Sequence, residues 1–399
     1  MSALLPLEQA LQQLLQVASQ TPLTAAEWVP LVAADNRVLA KPLRAPIDLP
    51  LLDYSAMDGY ALRLADGARG PLPVSQRIFA GSAPAPLAPD SCARIFTGAL
   101  IPEGADAVEL QENSRLEADE RVGFPQPLRP GQNIRRRGEE VAKGESILAA
   151  GTRLGPVELG LAASLGVAEL EVLQRPKVAL FASGDELVPP GQPLGLGQIY
   201  NSNLSLLVAM LQRLGCEVID GGTLADDGQA TQAALDGLGP VDLILTSGGV
   251  SVGEADVLGQ LLQKAGELLF WKVNIKPGKP FLCGRYGQTP VLGLPGNPGA
   301  VLVTFGLLVR PYLLARMGVA CAKAPGYSVV SGFDWPRAGK RREFVRVRIE
   351  QGRALLNPRQ GSGGLRGAAE ADGLAEILEN TCPRQGDALR FIPFAELLG

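Results

Sequence analysis

VDLILTSGGVSVGEAD, residues 241–256, joins a buried strand, a glycine hinge and a pair of carboxylates in one short segment. Val241–Leu245 is a short apolar run, β-branched at Val241 and Ile244 and bounded behind by Gly239-Pro240, which is the profile of a strand. After it, Thr246, Ser247, Gly248 and Gly249 can turn tightly and bring backbone N–H groups to an anion, and Glu254 and Asp256 add carboxylates suited to a hydrated Mg²⁺. In open α/β sheets ligands bind beyond the carboxyl ends of the strands. A plainer reading stays open for this stretch taken alone: Gly248-Gly249 as turn punctuation, Glu254 and Asp256 as a solvated helix start.

Recurrence nearby weighs against the plainer reading. Lys177–Ala182, KVALFA, is a second strand-like run and ends in Ser183-Gly184-Asp185-Glu186. Cys216–Ile219 is a third, leading through Gly221-Gly222 to Asp226-Asp227. Ser202–Leu214 reads as a helix closed by Gly215, and strand and helix alternate from Arg175 to Gly318. The right-handed crossover rule then favours a doubly wound, mostly parallel α/β sheet covered on both faces. Two motifs close this region. Lys276-Pro277-Gly278-Lys279-Pro280 sets two lysines around a stiff turn, and Gly293-Leu294-Pro295-Gly296-Asn297-Pro298 opens into the apolar helix Ala300–Leu308. A loop entering a helix N-terminus is a ready anion site, although both motifs can also serve as rigid turns.

Further out the texture changes. Leu7, Leu11, Leu14, Leu15 and Ala18 make a helical stripe behind Pro6, and Val157, Leu161 and Leu165 make another in Pro156–Leu165. These two pieces are expected to pack as one helical layer. Between Pro42 and Lys143 lie short strand-like runs (Val74–Phe79, Arg94–Thr97, Ala107–Gln111), read as an inserted, mostly β module. It carries DYSAMDGY around Asp58 and NIRRRGEE around Arg135, Arg136 and Arg137. The arginines suit either a solvated surface or a grip on phosphate or carboxylate, and Asp58 beside Gly59 also suits a turn. After Gly318 strict alternation in Phe344–Ile349 and around Leu389–Phe394 marks a small C-terminal β domain, with Arg337, Lys340, Arg341 and Arg342 read as a solvated turn.

Composition narrows the chemistry. The 399 residues exceed one ordinary core, and 46% hydrophobic with 20% charged residues describes a globular protein. A net charge of −4 argues against general nucleic-acid binding. No secretory signal or run long enough to span a bilayer is seen, which predicts a cytoplasmic protein that does not enter the membrane. Five scattered cysteines indicate neither a zinc site nor a disulfide framework. The complete absence of histidine removes imidazole bases and ligands and leaves carboxylates, lysines, hydroxyls and amides, an inventory suited to Mg²⁺-assisted phosphoryl or nucleotidyl chemistry.

SAMDGYA, RIFTGA, NIRRRGEE, SGDEL, SGGVSVGEAD, IKPGKP, GLPGNP and RQGSG, in this order, resemble the motifs of the molybdopterin molybdenumtransferase (MoeA) family, related to the E domain of gephyrin, across most of the chain. The resemblance implies four regions: a discontinuous helical linking region (1–45 with 146–175), the inserted β module (46–145), a molybdopterin-binding α/β domain (176–320) and a C-terminal β domain (321–399). It also implies the final step of molybdenum cofactor synthesis, in which molybdate enters adenylylated molybdopterin and AMP is released with Mg²⁺ assisting.

By motif, Glu186, Asp226 and Asp256 would be the acids near Mg²⁺ and the pyrophosphate. Ser183, Gly184, Asp185, Ser247, Gly248, Gly249, Pro295, Asn297 and Pro298 would line the substrate, and Lys276, Lys279, Pro280, Arg346 and Ser362 would hold molybdate. A homodimer is implied, with Asp58 and Thr97 brought to the site by the second subunit, and other proteins of the cofactor pathway are candidate partners. The sequence departs from the family at Ser183, where threonine is common, at Glu140, where aspartate is common, and at Gly299-Ala300, where a Val-Ser pair is common. Two alternatives remain at this stage: a molybdopterin adenylyltransferase or nucleotide pyrophosphatase, and a non-catalytic scaffold.

Overall fold

A computed structural model describes residues 4–125, 127–225, 227–250, 257–320 and 325–398. Its centre is a six-stranded sheet in the order Glu217–Leu224, Lys177–Ser183, Leu243–Ser247, Thr289–Leu294, Leu282–Tyr286, Glu267–Trp271. Only Leu282–Tyr286 runs against the rest. Leu243, Ile244 and Leu245 are buried, as a strand covered on both faces requires. Leu180, Leu245 and Leu292 face one core with the helix Ser202–Arg213, while Phe181, Ile244 and Val291 face another with Val257–Ala265.

The third strand end differs from its sequence reading. Gly221 and Gly222 do not follow the strand but lie inside it, at a register shift where Leu180 faces Asp220 and Phe181 faces Gly222. Gly221 sits against the Phe181 ring, so a Cβ there would come within 2.4 Å of it. The glycine accommodates an aromatic core residue.

The apolar helix runs from Pro298 to Arg316, with a π-helical segment at Phe305–Val309. Its length and composition are those of a membrane span, yet 89% of the relevant window is buried inside the protein. Much of that cover comes from Leu7–Gln20, whose buried Leu7, Leu14 and Val17 share a core with Phe305, Tyr312 and Leu313. Burying each such side chain contributes about 1.5–3 kcal/mol. That outweighs the missing side-chain cap at Pro6, worth about 1 kcal/mol.

Leu7–Gln20 therefore packs against the sheet domain's own helix, and the helical layer expected with Pro156–Leu165 does not form. The helix Pro156–Ser164 places Leu159 among Leu154, Leu170 and Val172 and Leu161 beside Ala45, Val141 and Leu165. The two halves of the linking region do meet, but through strands: Ala26–Pro30 pairs antiparallel with Glu169–Leu173, and Leu43–Arg44 with Ser146–Leu148. Between them the β module forms a four-stranded sheet ordered Val74–Ile78, Cys92–Ile95, Gly59–Leu62, Ala107–Leu110.

At the C-terminus, Arg342–Glu350, Arg353–Leu356, Tyr327–Ser331, Ala388–Pro393 and Gly373–Ile377 pair in a ring that closes when the last meets the first, giving a small barrel around Val345, Val347, Ala375 and Phe391. A two-residue strand from the sheet domain, Ile275–Lys276, joins it in parallel beside Arg342 and Glu343. This borrowed strand places the IKPGKP turn against the barrel.

Candidate functional site

Where the carboxyl ends of the parallel strands face the barrel there is a cavity of about 1050 Å³. Four stretches separated in sequence converge on it. Ser183 and Glu186 come from the first strand end, Ser247, Gly248 and Gly249 from the second, Lys276 to Pro280 from the borrowed strand, and Pro295 to Pro298 from the loop before the apolar helix. The barrel supplies Ser362 together with Trp335, Arg341 and Glu343.

Charge favours an anionic occupant. Among the described lining residues, Lys276, Lys279 and Arg341 outnumber the carboxylates Glu186 and Glu343. Lys276 is held by Glu343 at 2.9 Å, whereas Lys279 and Arg341 form no ion pair among the described residues. Glu186 is exposed to the cavity and its carboxylate likewise has no partner there.

The backbone donors differ from what the motifs suggest. Gly248 N–H is spent on the Leu294 carbonyl at 3.1 Å, so it belongs to the sheet. Gly248 must still be glycine: φ is +90°, and a Cβ would meet the Ser183 carbonyl oxygen at 2.4 Å. The mouth of the apolar helix is also closed, because Gly299 N–H donates to Ser362 O at 2.8 Å and Ala300 and Val301 N–H donate to Asn297 O. The anion site expected at that helix N-terminus is thus already satisfied internally. Gly249, Gly296 and Asn297 keep N–H groups without a partner among the described residues, and these loop amides are the remaining donors.

Other residues singled out in the sequence lie elsewhere. Arg346 is buried beneath the cavity wall, where its Nη2 donates to Gly361 O at 3.0 Å, and burial pushes its pKa down. It does not line the cavity. It braces the loop that carries Ser362. Gly184 and Asp185 adjoin the cavity at Ser183 and Glu186 without lining it. Asp226 and Asp256 lie outside the described residues, as does Glu254.

Asp58 and Thr97 belong to the β module and do not line the cavity of their own chain. They are bonded to each other, Thr97 N–H and hydroxyl donating to one Asp58 oxygen at 2.8 and 2.7 Å. The backbone N–H foremost, and then the hydroxyl, hold the Asp58 carboxyl below its usual range. In the arginine triplet, Arg136 pairs with Asp53 and Arg137 with Asp48, each at 2.6 Å, so these charges are spent within the module. The supposed solvated turn of the barrel divides in two: Arg341 lines the cavity, while Arg342 is largely buried and paired with Glu8, Glu376 and Glu379.

Asn203, Tyr200, Trp335, Arg341 and Glu343 line the cavity without having been marked by any motif. A signal for one of them existed. Asn201-Ser202-Asn203 offers two asparagines where one suffices to cap a helix, and Asn201 does so by accepting from Leu204 N–H at 3.0 Å. Asn203 is left for another task.

Comparison with known proteins agrees with this architecture part by part. Residues 5–166 match the MoeA N-terminal region (domain I and II), 179–315 a probable molybdopterin binding domain, and 328–394 the MoeA C-terminal region (domain IV). A molybdopterin molybdenumtransferase of Haemophilus influenzae is 43% identical over 348 residues, 86% of this chain and 85% of that protein. Molybdopterin molybdenumtransferase 2 of Mycobacterium tuberculosis is 40% identical over 368 residues, 88% of this chain and 91% of that protein. The crystal structure of a molybdopterin biosynthesis MoeA protein from Pyrococcus horikoshii superposes with a TM-score of 0.83 at 29% identity, covering 98% of this chain and all of that one. With three successive regions matched and relatives above two-fifths identity over most of its length, the chain belongs to the MoeA family.

Proposed function

We propose that this protein is a molybdopterin molybdenumtransferase that places molybdate on adenylylated molybdopterin with release of AMP, in the last step of molybdenum cofactor synthesis. The observation that carries the reading is the convergence of the SGG, IKPGKP, GLPGNP and QGSGG stretches on one cation-rich cavity. A pterin joined to AMP through a diphosphate requires room, positive charge and hydrogen-bond donors. The cavity supplies about 1050 Å³, Lys279 and Arg341 without an ion-pair partner among the described residues, the Ser247 hydroxyl and the loop amides of Gly249, Gly296 and Asn297.

In this mechanism Lys279 and Arg341 offset the diphosphate charge. Lys276, Lys279 and Ser362 would face the molybdate, and the P–O–P bond to AMP would break as a water oxygen bonds to the pterin-side phosphorus, AMP leaving with the bridging oxygen and the water's proton passing to solvent. Among the described residues no cluster of three carboxylate or cysteine ligands exists, but Mg²⁺ keeps several waters and needs only one or two carboxylates beside substrate phosphates. Glu186, which lines the cavity and has no ion pair among the described residues, fits such a site, and Asp226 and Asp256 are proposed beside it. When bound, Mg²⁺ would neutralise charge on the diphosphate oxygens. Asp58 and Thr97, remote from the cavity of their own chain, fit a homodimer in which each subunit completes the other's site.

The test is molybdate- and Mg²⁺-dependent AMP release from adenylylated molybdopterin by the purified protein. AMP release that ignores molybdate would remove this function. Adenylylated product formed from MgATP and molybdopterin would replace it with adenylyltransfer.

A further inference from the structure

Asn203 makes two side-chain hydrogen bonds at the cavity wall and no motif accounts for it. It sits in the first turn of Ser202–Arg213 and is only 8% exposed. Its Nδ2 donates twice, to Ser247 Oγ at 2.8 Å and to Gly296 O at 2.7 Å, thereby tying the SGG strand end to the GLPGNP loop. Its Oδ1 is buried with no hydrogen-bond partner among the described residues. Buried polar atoms are nearly always paired, so an orphan retained here indicates that the amide is held for what its nitrogen does.

The amide orientation follows from the Gly296 carbonyl, which accepts and cannot donate, so nitrogen must face it. Nitrogen then also faces Ser247. A serine hydroxyl has one proton and two lone pairs. Because Asn203 donates into Oγ, the Ser247 proton must point away from Asn203. Its only protein acceptor among the described residues is Pro295 O at 3.4 Å, at the long limit of a hydrogen bond. The hydroxyl is therefore a donor awaiting a better acceptor in the cavity.

We propose that Asn203 is a positioning residue that fixes the direction of the Ser247 hydroxyl, making Ser247 a hydrogen-bond donor to a phosphate oxygen of the substrate diphosphate. The inference rests on the function proposed above and adds the group that sets Ser247's polarity.

Asn203→Asp separates this role from a merely structural one. An aspartate oxygen accepts the Ser247 proton and reverses the hydroxyl, while Ser247→Ala removes it. Binding of adenylylated molybdopterin to the full-length protein, followed by titration calorimetry, is expected to weaken about tenfold in either single variant, the loss of one hydrogen bond to a charged group. The double variant is expected to bind about as well as Asn203→Asp alone, because both changes abolish the same bond. Full additivity, or wild-type affinity in Asn203→Asp, would overturn the assignment. If Asn203→Asp does not fold, the same cycle with Asn203→Ala decides: its effect should shrink in the Ser247→Ala background, and an undiminished effect means that Asn203 acts only by joining the two loops. Wild-type protein that fails to bind this ligand overturns the functional reading and this inference together, whereas normal wild-type binding with an additive cycle overturns this one alone.

Discussion

Lys276 and Glu343 meet across the seam between the sheet domain and the barrel, Nζ to carboxylate oxygen at 2.9 Å, on neighbouring strands that pair in parallel. The Glu343 side chain is only 12% exposed, so it depends on this partner. Lys276→Ala should leave a carboxylate without its partner in the cavity wall and raise the molybdate concentration for half-maximal AMP release by about tenfold or more. Glu343→Gln, which frees the lysine, should not raise it. A molybdate titration of both variants that moves them together would show that the pair matters only as a strut.

Lys279 lines the same wall and has no ion pair among the described residues, so its charge is available to an anion. Lys279→Ala should weaken molybdate by about tenfold while the melting temperature stays within a degree or two, since no buried partner is left behind. A large drop in melting temperature without a shift in the molybdate titration would contradict this division of labour.

Gly248→Ala tests the hinge. At φ +90°, with the Ser183 carbonyl oxygen 2.4 Å from the added carbon, the substitution should cost about 1–3 kcal/mol from backbone conformation, with the contact adding to it. Urea unfolding should show the loss, and AMP release should fall further than stability alone explains. A variant of wild-type stability would mean that the strand end yields easily.

Arg346→Met removes the brace under the Ser362 loop and leaves Gly361 O without its donor. Hydrogen exchange at Gly299 N–H, which donates to Ser362 O, should accelerate, because the two loops are held together there. Unchanged exchange with lost molybdate response would instead assign Arg346 a direct contact.

Asp58 provides a test of subunit sharing. Its carboxyl is held below the ordinary aspartate range, so the turn it makes with Thr97 is fully formed above that range and is lost only as pH falls through the lowered folded value. Activity between about pH 5 and 8 should therefore show no inflection from Asp58. Mixing inactive Asp58→Ala and Asp256→Ala proteins under subunit exchange should restore AMP release, because each mixed dimer contains one intact site. No recovery in mixtures shown to exchange would confine the site to one chain.

The alternation of buried strands with helices made the sheet legible in sequence, and two of the three strand ends singled out, through Ser183 and Glu186 and through Ser247–Gly249, line the cavity. The KPGKP and GLPGNP turns were readable because proline and glycine restrict the backbone in recognisable ways. What stayed hidden depended on contacts distant in sequence. Arg341, Glu343 and Trp335 reach the cavity only because Ile275–Lys276 pairs with the barrel, and no periodicity announces a two-residue strand. The helical stripe of Leu7–Gln20 said that a face is buried but not against what, and its partner proved to be Pro298–Arg316. Motif spacing likewise cannot tell which amides are already spent, so Gly248 and the helix mouth looked like open donors until their acceptors were seen.

The strap Ile275–Lys276 also bears on how such chains recombine. A chimera that exchanges barrels between relatives at residue 320 would separate Arg342 and Glu343 from the ladder they evolved with. Transplanting residues 273–280 along with the barrel keeps that ladder native, so the unit of inheritance in this part of the molecule is discontinuous in the gene.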